Sequence, residues 1–265
     1  MRRATATRAA PGAAGRVRAV REQPEQQAPP VQRLRVRYAK RGRLRFTSHR
    51  DFSRAFERAI VRARVPMAYS SGFNPHPRIS YAGAAPTGAA SEAEYLEIGL
   101  SREVDPRAVH EALDEALPAG LDVLEVVTSA GGSLADRLEA SVWRIRVPRL
   151  AAAEAGSAVE AFLAADTVEV ERMTKKGLRS FNCREAVVSL ASHSSEDSVE
   201  ECAILEVVLR HGTPSVRPDD VLVGLRAIAG LEAGAAPLYE RLAQGPLDAR
   251  AGTVGDPLAL DRDTA

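Results

Sequence analysis

The chain has 265 residues, of which 45% are apolar and 27% charged, and its formal net charge is +1. These values are typical of a globular protein that buries a sizeable core, as one large domain or two small ones. No apolar run is long enough to cross a membrane, no signal peptide is evident, and only two cysteines occur. The sequence therefore predicts a cytoplasmic protein with no disulfide framework, iron–sulfur cluster or metal site.

The small net charge conceals a strong asymmetry along the chain. Residues 1–64 contain 18 Lys and Arg residues against 4 Asp and Glu residues. An excess of basic residues in the N-terminal part of a nearly neutral chain is the charge distribution expected of a nucleic-acid-binding protein. Arginine-rich tails and solvated helix faces produce the same excess, so both interpretations stay open here.

The first predicted element is a strand that follows a basic tail. Residues 1–31 are rich in Ala, Arg, Pro and Gln without any hydrophobic period, which predicts disorder. Over residues 34–38 apolar side chains alternate with arginines, which predicts a half-buried strand with an arginine-lined outer face. Residues 44–46 are predicted to extend this strand after a turn at Gly42.

A helix with a cationic stripe is predicted over Asp51–Arg64. Ser48 followed by Asp51 fits the capping-box pattern, in which side chains satisfy the first backbone N–H groups of a helix. Apolar residues at helical spacing form one stripe, and arginines four residues apart form another. Pro66 ends the helix, because the residue before a proline is forced out of the helical region.

A rigid polar loop follows the helix over residues 70–78, which read Ser-Ser-Gly-Phe-Asn-Pro-His-Pro-Arg. Gly72 permits backbone angles that are closed to other residues. Pro75 and Pro77 fix the backbone on both sides of His76. Such preorganisation suits a binding or catalytic group, and it also suits a buried structural corner.

These residues carry a resemblance to a known family. The run SHRDFSRAFERAIVRARVPMAYSSGFNPHPRISYA, with its specific GFNPHPR block, resembles the radical-SAM-linked protein family. That family is a bacterial domain of unknown function, which occurs alone or fused behind cobalamin-binding radical SAM proteins. The resemblance extends from Arg33 to Arg241 and implies a radical SAM enzyme as partner. No activity is established for that family, and the sequence predicts no cofactor. The family's usual leucine after the Ser-His dipeptide is Arg50 here.

The predicted fold class is α+β, built from two tandem ferredoxin-like units. Residues 32–129 follow the β-α-β-β-α-β order of such a unit and carry the helix and the loop. Residues 140–244 repeat much of this order, although no final strand is evident, so the second unit is predicted to be incomplete. Residues 245–265 resemble a second disordered tail in composition.

The candidate site combines the cationic helix with the loop. Arginine and histidine contact phosphates, while exposed aromatic rings stack on unpaired bases. The aromatic residues could instead belong to the core of a domain with few aromatics. The candidate nucleic-acid-binding residues are Arg45, His49, Arg54, Arg58, Arg62, Tyr69, Phe73, Asn74, His76 and Arg78.

Three functions are consistent with the sequence. The first is a module that binds RNA, or presents another substrate, for a radical SAM enzyme in RNA modification. The second is a metal-independent endoribonuclease with paired ferredoxin-like domains, in which His49 and His76 form an acid/base pair. The third is a protein–protein adaptor that binds no nucleic acid. The sequence favours the first, a binding module without catalysis.

Overall fold

A computed structural model describes residues 26–174, 177–194, 201–234 and 236–263. The chain is a mixed α+β protein, as predicted, and its main sheet has eight strands. Most of the predicted basic tail, residues 1–25, lies outside the described residues. The two halves of the sheet are built in the same way.

The first half follows the predicted element order. Its elements are β1 (Gln32–Lys40), α1 (His49–Arg62), β2 (Ile79–Ala82), β3 (Ala90–Leu100), α2 (Pro106–Ala116) and β4 (Val123–Thr128). The strands pair antiparallel in the order β4-β1-β3-β2. The predicted extension of β1 is wrong, because Gly42–Phe46 forms a 3₁₀ helix. Gly42 has a positive φ of 54° and turns the chain away from the sheet.

The second half repeats this arrangement with one insertion. Its elements are β5 (Ala140–Pro148), α3 (Ala152–Ala164), β6 (Glu169–Thr174), β7 (Gly177–Asn182), β8 (Val187–Ser194), β9 (Cys202–Arg210), α4 (Pro218–Ala229) and β10 (Leu238–Gly245). The strand order is β10-β5-β9-β8, again antiparallel, and β6 with β7 forms a separate hairpin. The final strand that the sequence did not reveal is β10. The description of the halves as ferredoxin-like units remains a prediction, which the shared strand order favours.

The two halves join through β3 and β10, which pair in parallel at Ala90 and Ser91. The join is possible because β2 has four residues and pairs only with residues 95–98 of β3. On the side of β3 that faces β2, residues 90 and 91 are therefore left for β10 to pair with. Beside it, Arg241 is 3% exposed and forms an ion pair with Glu94, which is 2% exposed. The same guanidinium donates to the Gly83 carbonyl at 2.6 Å, so the junction is polar and paired.

Each half has its own apolar core. In the first half, α1 and α2 pack on one face of the sheet through buried aliphatic and aromatic side chains, among them Leu34, Phe56, Leu96 and Leu113. In the second half, a separate cluster lies between the sheet, the hairpin and helices α3 and α4. A third, smaller cluster lies on the opposite face of the first half and includes Leu258 from the C-terminal segment.

The C-terminal segment packs against the first half. It contains β11 (Leu247–Asp248), β12 (Thr253–Val254) and α5 (Ala259–Arg262). Asp261 is fully buried, and its carboxylate accepts hydrogen bonds from Arg35 at 2.9 Å and Arg137 at 2.8 Å. The disordered tail predicted over 245–265 is therefore wrong for residues 245–263. The arginine-lined outer face is corrected as well, since Arg35 is fully buried where the sequence placed it toward solvent.

Candidate nucleic-acid interface

The cationic helix forms as its sequence predicts. Ser48 caps α1: its Oγ accepts a hydrogen bond from the Asp51 N–H at 3.2 Å and donates one to the Asp51 carboxylate at 2.7 Å. Phe52, Phe56 and the neighbouring apolar residues of the predicted stripe are buried against the sheet. Burial of that stripe fixes the rotation of α1 about its axis, and so directs the opposite, arginine-bearing face to solvent.

The arginines of α1 form a row on this exposed face. Arg50, Arg54 and Arg58 are exposed, and within the described part of the chain none of them forms an ion pair. Arg62 continues the row and donates a hydrogen bond to the Ala116 carbonyl at the end of α2, so it also caps that helix. At 1.5 Å per residue, the row from Arg50 to Arg62 extends about 18 Å.

The row carries a small energetic cost. Like charges at successive i, i+4 positions destabilise a helix by about 0.2–0.5 kcal/mol per pair, and three such pairs occur here. A shallow groove of about 600 Å³ runs along this face, lined by Arg54, Glu57, Arg58, Val61 and Arg62. An anionic ligand lying in the groove would relieve the repulsion.

An arginine–aromatic pair lies in the 3₁₀ helix before α1. The Arg45 guanidinium lies 4.7 Å from the centre of the Phe46 ring, which is 61% exposed. An exposed phenyl ring beside a cation is the combination that stacks on an unpaired base next to its phosphate.

The polar loop is held closed at its base. The Ser70 N–H donates to the His76 carbonyl at 2.9 Å, and the His76 N–H donates to Ser70 Oγ at 3.0 Å. Arg78 Nε donates to the Tyr69 carbonyl at 3.1 Å. Gly72 has a positive φ of 125°, which explains the glycine in this tight loop. The loop is thus preorganised by its own backbone and by Arg78.

The three aromatic rings around the loop differ in how far they are exposed to solvent. Phe73 is 62% exposed and Tyr69 is 43% exposed, so the alternative reading as core residues is wrong for both. Tyr81 is half-buried and contacts the ring of Phe52, which agrees with that reading for this residue. Asn74 is exposed at the tip of the loop, and His76 is exposed near its base.

A second groove, of about 320 Å³, lies at the foot of the loop. It is lined by side chains that include His76, Arg78, Arg33 and Ser80, together with Glu97. Glu97 accepts hydrogen bonds from Arg33 at 3.3 Å and Arg35 at 3.1 Å, so its charge is compensated within the protein. His76 and Arg78 are the groups through which this groove would bind an anion.

The structure does not bring His49 and His76 together. The His49 ring contacts the Tyr81 ring edge-on at 4.8 Å, on the face of the sheet that α1 covers. His76 lines the groove with Ser80. Ser80 and Tyr81 are successive residues of β2, so their side chains point to opposite faces. No general acid/base pair forms between these two histidines in this geometry.

The candidate surface also includes two exposed residues that the sequence did not assign to it. Arg50 starts the arginine row, and its position four residues before Arg54 was a visible signal. Phe46 was placed in a predicted strand, and that incorrect assignment hid its exposure. The predicted residues Arg45, Arg54, Arg58 and the loop otherwise lie on the first half's surface.

Two negative observations bear on the chemistry. Within the described ranges, no three His, Cys, Asp or Glu side chains are grouped so that they could hold a metal ion. None of the helices formed by those residues combines the length and the apolar composition needed to span a bilayer.

These features define a mixed α+β protein with an exposed basic face on its first half. The chain belongs to a family described as an uncharacterized protein conserved in bacteria (DUF2344), whose model matches residues 33–218. No curated protein matches the chain. Among solved structures, the crystal structure of an unknown protein from Galdieria sulphuraria is 15% identical and covers 79% of this chain and 98% of that chain. Its TM-score of 0.23 does not establish a shared fold.

Proposed function

We propose that this protein binds single-stranded RNA and presents it to a radical SAM enzyme in the cytoplasm. The observation that carries the RNA part is the exposed row of Arg50, Arg54 and Arg58 on α1, which form no ion pairs among the described residues. Phosphate contacts from such a row supply affinity that does not depend on sequence. The radical SAM partner is supported by the resemblance of the GFNPHPR block alone.

Single-stranded RNA suits this surface because exposed rings occur both before and after α1 along the chain. Phe46 precedes α1, and Tyr69 and Phe73 belong to the loop that follows it. Proteins that bind unpaired strands combine a basic track with such stacking platforms. In the proposed path, the backbone follows the arginine row and turns around the edge strand β2 toward His76 and Arg78.

The first test measures the salt dependence of binding to a fluorescent single-stranded oligoribonucleotide. Reversing the charge of Arg50, Arg54 and Arg58 to Glu removes three phosphate contacts. The slope of log affinity against log salt should then fall by about 2, since each contact to a single strand contributes about 0.7. A matched control reverses three exposed arginines elsewhere, namely Arg210, Arg226 and Arg250.

The outcomes of this test are distinct. A change of slope in the α1 variant but not in the control supports the proposed interface. An equal effect in both variants, or in neither, would show that α1 is not the binding face. Purification at mild salt, with identification of bound RNA and protein, then tests the radical SAM partner. One stable protein partner without RNA would overturn RNA binding and leave an adaptor.

A further inference from the structure

A separate cavity lies between the two halves of the sheet, away from α1. This central cleft has a volume of about 390 Å³, which is within the usual range of small-molecule sites, about 300–1,000 Å³. The loop after β2 forms one wall through Gly83, Ala84 and Pro86. The second half supplies the other walls from β5, β6, β10 and the segment before α4. The side chains that the argument uses are Ser141, Trp143, Arg172, His211, Arg217 and Arg241.

The walls of the central cleft are basic. Three arginines and His211 line it, and among the described residues no carboxylate does. Arg241 is committed to Glu94 and the Gly83 carbonyl, so it anchors the junction. Arg172 is held by Asp220 at 2.5 Å and by the Ser215 carbonyl at 3.0 Å. These partners fix two of the guanidinium groups in place and neutralise much of their charge.

Arg217 differs from the other two arginines. It is exposed, lines the cleft at the start of α4, and its guanidinium forms no ion pair with any residue in the described ranges. The N-terminal end of α4 adds positive potential at the same place, although Asp219 and Asp220 in its first turn offset part of it. Arg217 is therefore the charged donor that remains available to an anion entering the cleft.

The floor of the cleft is a continuous hydrogen-bond chain. His211 Nδ1 donates to the Leu138 carbonyl at 2.7 Å, which leaves Nε2 of the neutral ring as an acceptor. The Ser141 hydroxyl donates to that Nε2 at 3.1 Å, and Trp143 Nε1 donates to Ser141 Oγ at 2.8 Å. Partial burial lowers the pKa of His211, and the nearby Arg241 charge lowers it further. The floor thus holds Trp143 rigidly at the base of a basic pocket.

We propose that the central cleft is a second ligand site, which binds the phosphate monoester group of a nucleotide-sized molecule through Arg217. A planar guanidinium suits phosphate because it offers parallel N–H donors. The phosphate is carried either by a free small molecule or by the end of an RNA strand. The site does not depend on RNA binding at α1.

The test uses the full-length chain and its single tryptophan, Trp143. Intrinsic fluorescence and calorimetry follow titration with inorganic phosphate, adenosine 5′-monophosphate and adenosine. The monophosphate should bind with a dissociation constant below about 1 mM, and adenosine should bind at least tenfold more weakly. A Trp143→Phe variant should lose the fluorescence signal but keep the heat of binding.

Matched variants assign the site. Arg217→Gln should weaken monophosphate binding at least tenfold. Arg226→Gln, in the helix that follows Arg217 and paired with Glu232, should leave it unchanged. The α1 charge-reversal variant should also bind the monophosphate normally, which separates this site from the RNA interface. Equal binding of adenosine and its monophosphate would overturn the proposal, as would unchanged affinity in Arg217→Gln.

Two oligoribonucleotides distinguish the sources of the phosphate. They share one sequence and differ only in a 5′-phosphate, and both are tested with the α1 charge-reversal variant to suppress backbone binding. Tighter binding of the phosphorylated strand, lost in Arg217→Gln, assigns the cleft to an RNA end. Binding of the free monophosphate without such a preference assigns it to a small molecule. Failure of both phosphorylated probes to bind would refute the site.

Discussion

Removing the carboxylate of Asp261 should destabilise the whole protein. This side chain is fully buried and accepts hydrogen bonds from Arg35 Nη1 to both oxygens at 2.9 Å and from Arg137 Nη1 at 2.8 Å. The Ala130 N–H adds another at 2.8 Å. In Asp261→Ala, the fully buried Arg35 guanidinium loses its main counter-charge.

The expected magnitude follows from the remaining partners of Arg35. Removing one partner of a buried ion pair costs about 3–5 kcal/mol. Arg35 keeps Glu97 at 3.1 Å and the carbonyls of Gly131 and Gly132, so the lower end applies, about 3 kcal/mol. That is a large share of a typical free energy of unfolding, about 5–15 kcal/mol.

Urea denaturation followed by circular dichroism measures this effect. With a slope of about 2–3 kcal/mol per M, the midpoint should fall by about 1 M or more. Asp263→Ala is the matched control, since Asp263 is exposed two residues further on, and it should change stability by less than about 0.5 kcal/mol. A loss below about 1 kcal/mol in Asp261→Ala would refute the conclusion that the C-terminal segment is an integral part of the first half.

Three further predictions concern the second half and its junction. Gly245→Ala should cost about 1–3 kcal/mol in urea denaturation, because a Cβ there would lie 2.1 Å from the Gly255 carbonyl oxygen. Since the pKa of His211 is lowered on folding, the unfolded chain binds more protons as the pH falls below 6.5. Stability should therefore drop in that range, and His211→Gln should flatten the drop. Burial raises the pKa of Cys183 to about 12, so a maleimide at pH 8 should label the native protein at Cys202 alone.

Each of these has its own control. Gly156→Ala, in α3 and with only Ser192 Oγ nearby at 3.4 Å, should be neutral or stabilising, so an equal loss there would refute the steric argument. An identical pH profile for wild type and His211→Gln would show that His211 does not titrate differently on folding. Labelling of both thiols before unfolding would contradict the burial of Cys183, and addition of urea should expose it.

The sequence predicted elements wherever one local rule determined the outcome. The capping side chain of Ser48 marked the start of α1 correctly. The final strand β10 was missed because Arg241 and Gln244 are buried in it, and their partners lie elsewhere in the chain. The pattern of apolar and polar residues in 238–245 cannot show that the buried Arg241 forms an ion pair with Glu94.

The candidate site was predicted in composition but not in geometry. The arginine spacing on α1 and the polar loop were both evident in the sequence. Whether the loop lay on the surface was not, and the structure exposes Phe73 and His76. The separation of His49 from His76 follows from the pairing of β2 with β3, a tertiary contact that no local pattern encodes. The central cleft was missed for the same reason, since its walls come from both halves.

During synthesis, two buried charged residues of the first half leave the ribosome long before the residues that pair with them. Glu94 precedes Arg241 by 147 residues, and Arg35 precedes Asp261 by 226. At a synthesis rate of about 5–20 residues per second, Asp261 is made about 10–45 s after Arg35. Until then the first half cannot bury its charged face without a large penalty. The nascent chain should therefore remain sensitive to protease until Asp261 has emerged, and a translational stall before that residue would leave a partly folded product for chaperones to hold.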